Sequence, residues 1–186
     1  ITDLIKESEN FLIVKVDNKR LKEGIPTLNT DWWNYGGLTR EVKIVETPNT
    51  YIRDYSIHLD PNNKSQILAH VAIAGSDKNT SVEINIPALN LSRKVKSDED
   101  GNVRRSFTSS DIKYWSIDSP QLYEIRLKTE FENITDQIGF RSIETSGSNI
   151  LLNGEEVYLK GISIHEESPI NAGRGHSEAD ASKLLD

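Results

Sequence analysis

The segment YIRDYSIHLDPNNKSQILAHVAIA, residues 51–74, decides the fold of this chain. Apolar and polar residues alternate through residues 51–59 and again through 66–74, which is the period of a β-strand with one buried face. Residues 60–63, between them, combine Asp, Pro and Asn, the residue types that favour tight turns. The segment therefore predicts two half-buried strands joined by a turn.

The same kind of pattern extends outward in both directions. Strands are predicted at residues 10–16, 40–45, 81–86 and 122–130. Turn-forming residues occur at 75–77, 98–102 and 118–120. Six or seven short strands between about residues 48 and 138 predict a two-sheet sandwich of about 100 residues with an immunoglobulin-like architecture. Helical periodicity is nearly missing until residues 177–185.

Composition excludes several classes of partner. The 186 residues carry a formal net charge of -7, and the basic residues form no cluster of the size that phosphate binding requires. No apolar run approaches the roughly 18 to 20 residues of a membrane span. We therefore expect neither a nucleic acid nor a membrane as partner.

The chain contains no cysteine, which excludes disulfides, thiolate metal sites and a cysteine nucleophile. The acidic turn at residues 98–102 has its glycine at the fourth position, not at the sixth as in a calcium-binding loop. The sequence thus predicts no metal site and no cofactor. Absence of cysteine fits a periplasmic or secreted protein with a large core as well as a cytoplasmic one, so the compartment stays open.

Three motifs follow one another in a fixed order. The first joins NFLIVKVDN at residues 10–18 to WWNYGGLTREV at 32–42, and the second places Trp115, Pro120, Leu122 and Tyr123 in YWSIDSPQLY. The third contains Gly-Phe-Arg at 139–141, the hairpin signal Asn-Gly at 153–154 and Lys-Gly at 160–161, and ends on His-Glu at 165–166. In order and spacing, these motifs resemble glycoside hydrolase family 2, the group of β-galactosidases, β-glucuronidases and β-mannosidases.

The resemblance implies an all-β chain in three parts. Residues 1–47 would be the C-terminal end of a sugar-binding jelly-roll domain, and residues 48–138 the immunoglobulin-like β-sandwich. Residues 139–186 would be a linker hairpin and the start of a truncated TIM barrel, with residues 160–165 as the first barrel strand. In the sandwich, we expect Trp115 to fill the end of the core and Pro120 to fix a turn.

The activity implied by the resemblance is that of a retaining exo-β-glycosidase, which hydrolyses O-glycosyl bonds of a carbohydrate substrate. Retention requires two carboxyl groups about 5 to 5.5 Å apart. In the family, the acid/base glutamate follows an asparagine, and this chain contains no Asn-Glu pair. We therefore expect no catalytic residue here: the chain is the non-catalytic scaffold of its parent enzyme and is inactive alone.

His165 and Glu166 are the predicted substrate-binding residues. The resemblance places them at the C-terminal mouth of the first barrel strand, facing the sugar pocket, where His165 would donate a hydrogen bond to a sugar hydroxyl and Glu166 would be an orienting or ion-pairing residue. The alternative for both is a solvated loop. These motifs belong to the scaffold, so they do not identify the sugar or the linkage.

A second function remains open, that of a non-catalytic carbohydrate-binding or adhesive immunoglobulin-like module. Trp32, Trp33 and Tyr35 would then form the binding surface, whereas packing at a domain seam is the other interpretation of the two tryptophans. Such a module would end near Ile138, but the chain continues into further strand patterns. The aromatic patch at residues 31–37 and the apolar segments 150–152 and 157–159 also predict weak self-association as a homo-oligomer.

Overall fold

The computed structural model describes residues 2–25, 27–28, 35–38, 40–75, 77, 79–164, 167–168, 173–175 and 177–185. The chain divides into two compact units. One comprises Val45–Lys160, and the other combines Ile1–Ile44 with Gly161–Asp186.

Seven strands build the sandwich of the larger unit. They are β1 (Thr50–Asp60), β2 (Asn63–Gly75), β3 (Ser81–Ile86), β4 (Leu91–Lys96), β5 (Asn102–Thr108), β6 (Tyr123–Lys128) and β7 (Asn133–Ile138). One antiparallel sheet has the order β1-β2-β5, and the other has the order β4-β3-β6-β7. The fourth strand thus pairs with the third, whereas in a constant-type immunoglobulin domain it belongs to the opposite sheet. The predicted all-β sandwich is confirmed.

The core lies between the two sheets and follows the alternation seen in the sequence. Ile67 and Val71 of β2 face Val82 and Ile84 of β3 in one cluster, and all four are fully buried. Phe107, Ile125 and Leu127 add bulk from three further positions in this cluster. Burial of the apolar faces from both sheets is the main contribution to the stability of such a sandwich.

The edges formed by β1 and β7 are joined by side chains. The Glu132 carboxylate accepts a hydrogen bond from the backbone N–H of Ile52, next to a β-bulge in β1. Further along, the Tyr55 hydroxyl donates to Asp136 Oδ2 over 2.7 Å. This hydrogen bond to the Asp136 carboxylate raises the pKa of Tyr55 above its ordinary value. We call these two contacts the edge seam.

A small antiparallel sheet follows the sandwich. It consists of β8 (Ile143–Ser146), β9 (Asn149–Leu152) and β10 (Glu155–Glu156), in the order β10-β9-β8. Asn153 and Gly154 connect β9 to β10, and both have positive φ angles, 56° and 94°. A two-residue turn with positive φ at both positions is the geometry that Asn-Gly favours, so the hairpin signal is confirmed.

The second unit contains less regular structure. It has a 3-10 helix at Thr2–Leu4, the paired two-residue strands β11 (Glu167–Ser168) and β12 (Gly173–Arg174), and the helix α1 (Glu178–Leu185). The backbone N–H of Asp180 donates to Ser177 Oγ, and Asp180 Oδ2 accepts the backbone N–H of Ser177, which together cap the start of α1. Within the described residues, no helix has the length and apolar content that crossing a bilayer requires.

Three predicted strands are corrected by the structure. Residues 10–16 and 40–45 form no strand, and neither does 160–164, the described part of the predicted first barrel strand. In the first of these segments the side chains of Phe11 and Ile13 are about nine-tenths exposed. An alternating segment becomes a strand only where a neighbour satisfies its backbone N–H and C=O groups, and these segments pair with none of the described residues.

Candidate functional site

The best-defined candidate site lies where the sandwich joins the small sheet. Four residues, 139–142, connect the end of β7 to the start of β8. They meet the loop that precedes β6, so that the second and third sequence motifs come into contact. We call the group formed by Trp115, Gly139, Phe140, Arg141 and Asn153 the junction site.

Phe140 anchors the connecting residues in the core. Its side chain is 1% exposed, and its ring centroid lies 5.3 Å from that of Tyr123 with the two planes tilted by 41°. The Tyr123 hydroxyl in turn accepts a hydrogen bond of 2.7 Å from the backbone N–H of Lys113. This resembles the tyrosine corner of immunoglobulin-like sandwiches, in which a tyrosine at the start of the sixth strand holds the preceding loop.

Trp115 packs against the connecting residues and does not fill the core as predicted; it is half-buried. Its backbone N–H donates to the Phe140 carbonyl over 2.8 Å. A Cβ at Gly139 would lie 2.8 Å from Cδ1 of the indole, so only glycine permits this approach. The Arg141 guanidinium lies 5.4 Å from the indole centroid in a cation–π arrangement. Gly139 and Arg141 therefore cover parts of the Trp115 indole that would otherwise offer a stacking surface to a sugar.

Asn153 ties the hairpin turn to the sandwich. Its Nδ2 donates to the Trp115 carbonyl over 3.0 Å, and its Oδ1 accepts the backbone N–H of Ser142 over 3.1 Å. Its own backbone N–H donates to the Ser142 carbonyl over 2.9 Å. The left-handed conformation required by the turn thus also places the amide where it bridges two other segments. These bonds fix the direction in which the hairpin leaves the sandwich.

An ion pair gives the small sheet a second attachment. Lys64 Nζ, on β2, lies 2.8 Å from Glu144 Oε1, on β8, and the Tyr114 hydroxyl donates to the Lys64 carbonyl over 3.3 Å. The Lys64 ammonium lowers the pKa of the Glu144 carboxyl below its ordinary value. Because both charged side chains are partly exposed, this contact orients the sheet more than it stabilises the fold.

The predicted substrate-binding residues His165 and Glu166 lie outside the described residues, as do Trp32 and Trp33. Tyr35 is described and exposed. In the part of the chain that the structure describes, no three His, Asp or Glu side chains come together as metal ligands. Sequence reasoning missed the bridging role of Asn153, because Asn-Gly was interpreted only as a turn. The available signal was that an Asn-Gly turn holds Asn153 in a left-handed conformation, which fixes the direction of its polar side chain.

Comparison with known proteins assigns the chain to a family. The model of glycosyl hydrolases family 2 matches residues 50–141, from the first residue of β1 to the arginine of the junction site. A β-galactosidase from Clostridium acetobutylicum is 27% identical over 201 residues, which cover 100% of this chain and 21% of that protein. A β-glucuronidase from Mus musculus is 27% identical over 176 residues, covering 88% of this chain and 26% of that protein.

A solved structure agrees with these relatives. The family 2 β-galacturonidase from Eisenbergiella tayi, bound to glycerol, superposes with a TM-score of 0.67 at 25% identity, over 91% of this chain and 32% of that one. The chain thus spans about a fifth to a quarter of the length of the two relatives compared above. Their names identify all three proteins as β-glycosidases. The family model over residues 50–141, these relatives and this solved structure together support the assignment of the chain to glycoside hydrolase family 2.

Proposed function

We propose that this chain is the non-catalytic scaffold of a longer retaining exo-β-glycosidase. Relatives that are glycosidases by name match it along nearly all of its length, while it spans only 21% and 26% of theirs. Residues 1–47 are then the end of a sugar-binding jelly-roll, 48–138 the sandwich, and 139–186 the hairpin and the start of a TIM barrel. The carbohydrate substrate is bound and cleaved by the whole enzyme.

The observation that carries this proposal is the pair of attachments at the junction. Asn153 bonds to the Trp115 carbonyl, and Lys64 pairs with Glu144 on the neighbouring strand. Two attachments at different points restrict both the position and the rotation of the small sheet. Misplacement of catalytic groups by about 1 Å can lower the rate a hundredfold. A scaffold that fixes the direction in which the chain continues toward the catalytic domain therefore contributes to the reaction without contacting the substrate.

Within this proposal, His165 and Glu166 bind the sugar. His165 donates a hydrogen bond to a sugar hydroxyl, and this bond strengthens as charge develops in the transition state. Glu166 acts as an orienting or ion-pairing residue. The residues that perform the glycosidic cleavage belong to the rest of the enzyme, because the acid/base glutamate of the family follows an asparagine and no Asn-Glu pair occurs here.

Hydrolysis of a panel of nitrophenyl β-glycosides tests the proposal. The gene product extended through its natural C-terminus is assayed beside the 186-residue chain. We expect turnover by the long protein alone, which would also identify the sugar. Turnover by the purified short chain would overturn the scaffold assignment. Turnover by neither would instead favour a carbohydrate-binding or adhesive module, with Trp32, Trp33 and Tyr35 as the residues to substitute.

The role of His165 has its own test in the long protein. His165→Ala should lower kcat/KM for the hydrolysed glycoside about tenfold to a hundredfold, the loss expected for a hydrogen bond to a group that becomes charged. The matched control is Glu99→Gln, an exposed change in the turn between β4 and β5, which should leave kcat/KM unchanged. Equal activity of His165→Ala and the wild type would remove His165 from the site.

We further propose that the chain self-associates weakly as a homo-oligomer. Ile150 of β9 and Ile143 of β8 present apolar side chains that are exposed in the single chain. Sedimentation velocity over a range of concentrations checks this. A sedimentation coefficient that does not change with concentration would contradict it.

A further inference from the structure

We propose that the outer face of the β1-β2-β5 sheet binds an acidic carbohydrate, a chain of uronic acids, through its carboxylates. A shallow groove on this face is lined by His58, Leu68, His70, Arg104 and Arg105, together with Ala69 and Ser106. We call it the outer groove. It lies on the sandwich, and the family assignment gives it no role.

The strand register brings the basic side chains together. His70 of β2 is the direct cross-strand partner of Arg104 of β5. His58 of β1 is paired with Leu68, two residues before His70 on β2. Directly opposed side chains on one face have Cβ atoms about 5 Å apart, and the next row of the same face lies about 7 Å along the strand. The three basic groups therefore share one area of the sheet.

The charge of the outer groove is opposite to that of the whole chain. The chain carries a formal net charge of -7, yet no Asp or Glu lines this groove. Arg105 borders the groove, but its cross-strand partner is the buried Ala69, so its side chain leaves the other face of the sheet. Arg104 has one weak partner, Asp98, whose carboxylate lies 3.9 Å away, and its side chain is 69% exposed. The Arg104 guanidinium is thus available to an anion.

Two other carboxylates share this face of β1 and limit the positive potential. Asp54 Oδ1 accepts the backbone N–H of Tyr55 over 2.9 Å, and Asp60 Oδ1 accepts that of Asn62 over 2.8 Å. Each therefore has a local donor of its own, and neither pairs with the basic groups of the outer groove. A ligand must still approach past them, which favours a moderate affinity.

The hydrogen bonds of the two imidazoles determine what they offer a ligand. His70 Nε2 lies 3.1 Å from Asn102 Oδ1, and His58 Nδ1 lies 2.8 Å from the Leu59 carbonyl oxygen. Both oxygens can only accept, so each of these nitrogens donates and the other nitrogen of each ring remains for a ligand. When protonated, that nitrogen becomes a charged N–H donor.

Protonation of His70 would place two cations opposite each other on neighbouring strands. Like charges in this position destabilise a sheet. An anion bound between the His70 imidazolium and the Arg104 guanidinium removes the repulsion and adds charge-assisted hydrogen bonds. Asp54, Asp60 and Asp98 oppose such a ligand, but none of them lines the outer groove, so an anion is still the favoured ligand between His70 and Arg104.

The shape of the outer groove favours a polymer of acidic sugars over a single small anion. Its basic groups occupy two rows, and Leu68, half-buried between them, offers an apolar surface to the C–H face of a sugar ring. A chain with a carboxylate on successive sugars can bridge the rows. The choice of uronic acids rests on the proposed function, since relatives include a β-glucuronidase and a β-galacturonidase by name.

Calorimetric titration of the 186-residue chain with a hexamer of galacturonate, at low salt, tests the proposal. We expect saturable binding that the double variant His70→Gln/Arg104→Gln weakens at least about tenfold, as expected for lost charge-assisted hydrogen bonds. Circular dichroism establishes that each variant keeps the wild-type strand content.

Two controls distinguish binding in the outer groove from nonspecific electrostatic attraction. Lys96→Gln removes one exposed positive charge from the opposite sheet and should leave the affinity unchanged, and a neutral galactose hexamer should not bind. No saturable binding, equal weakening by Lys96→Gln or equal binding of the neutral hexamer would overturn the proposal. Binding requires no hydrolysis, so failure here is distinct from failure of the long protein to cleave glycosides.

Discussion

Strand β2 and residues 10–16 carry similar alternations of apolar and polar side chains and have opposite outcomes. Strand β2 pairs with β1 on one side and β5 on the other, and its inward residues Ile67 and Val71 are fully buried. Residues 10–16 pair with no described strand, and Phe11 and Ile13 are almost fully exposed. Alternation thus determines which face of a segment is apolar. Pairing with at least one neighbouring strand determines whether that face is held against the core and contributes to stability.

The contrast extends to the two compact units as wholes. The Val45–Lys160 unit contains every residue of the main hydrophobic core and all seven strands of the sandwich. The described residues of the other unit contain two short helices and one pair of two-residue strands. Equivalent substitutions in the two units should therefore differ in cost, and the first two predictions measure that difference directly.

The largest effect is expected at the buried aromatic ring of the junction site. Phe140→Ala should lower the free energy of unfolding by about 3–5 kcal/mol, because it leaves a cavity beside Tyr123. Phe11→Ala removes the same atoms from a side chain that is 90% exposed and should change stability by less than about 0.5 kcal/mol. Urea unfolding measures both. Similar costs for the two variants would contradict the contrast between the units.

The next effect concerns the approach of the backbone to Trp115. Gly139→Ala should lower stability by about 1–3 kcal/mol, because the new methyl group overlaps rigid atoms of the indole. The matched variant is Gly161→Ala, where an added Cβ meets no atom of the described residues within 4 Å, and its cost should stay below about 0.5 kcal/mol. If Gly139→Ala proved neutral in urea unfolding, the close contact at the junction would be excluded.

A smaller effect should follow from removing the bridging amide. Asn153→Gly keeps a residue that tolerates the left-handed turn but loses the bonds to Trp115 and Ser142, at a cost of about 1 kcal/mol. Hydrogen exchange should accelerate at the Ser142 amide, which then lacks its side-chain acceptor. Asn90→Gly, also at a left-handed position, serves as the control that should leave the Ser142 amide unchanged. An unchanged Ser142 amide in Asn153→Gly would contradict the bridge.

The smallest effect is a shift in titration at the second attachment. Because the pKa of Glu144 is lowered in the folded chain, the ion pair contributes above the ordinary glutamate value of 4.5 and is lost as pH falls through the lowered value. Lys64→Met should therefore raise the carboxyl pKa toward 4.5, as followed by NMR, whereas Lys64→Arg should keep it low. A Glu144 titration curve that is the same in all three proteins would show that Lys64 does not set it.

Much of the sandwich was predictable from the sequence, because its strands have one buried face each. The predicted segments 51–59, 66–74 and 81–86 lie within β1, β2 and β3. The errors at residues 10–16 and 40–45 have the same physical origin. Hydrophobic periodicity is a local property, whereas pairing depends on which segments meet in space, and a single sequence does not report that.

The candidate site was predictable to a smaller extent. The motif residues Trp115 and Gly139 were recognisable, but their contact joins positions 24 residues apart and required the fold. The pairing of Lys64 with Glu144 spans an even longer separation and follows no spacing rule. The roles of His165 and Glu166 stay predictions, since both residues lie outside the described part of the chain.

The edge seam has a mechanical consequence. Strand β1 enters the sandwich and β7 leaves it, and the seam contacts advance in the same direction along both strands, from Ile52 with Glu132 to Tyr55 with Asp136. Tension applied to the two ends of the sandwich would therefore load these contacts in shear, before the backbone ladders of either sheet. Because only two side-chain hydrogen bonds carry that load, this edge is where the sandwich would begin to yield to a pulling force.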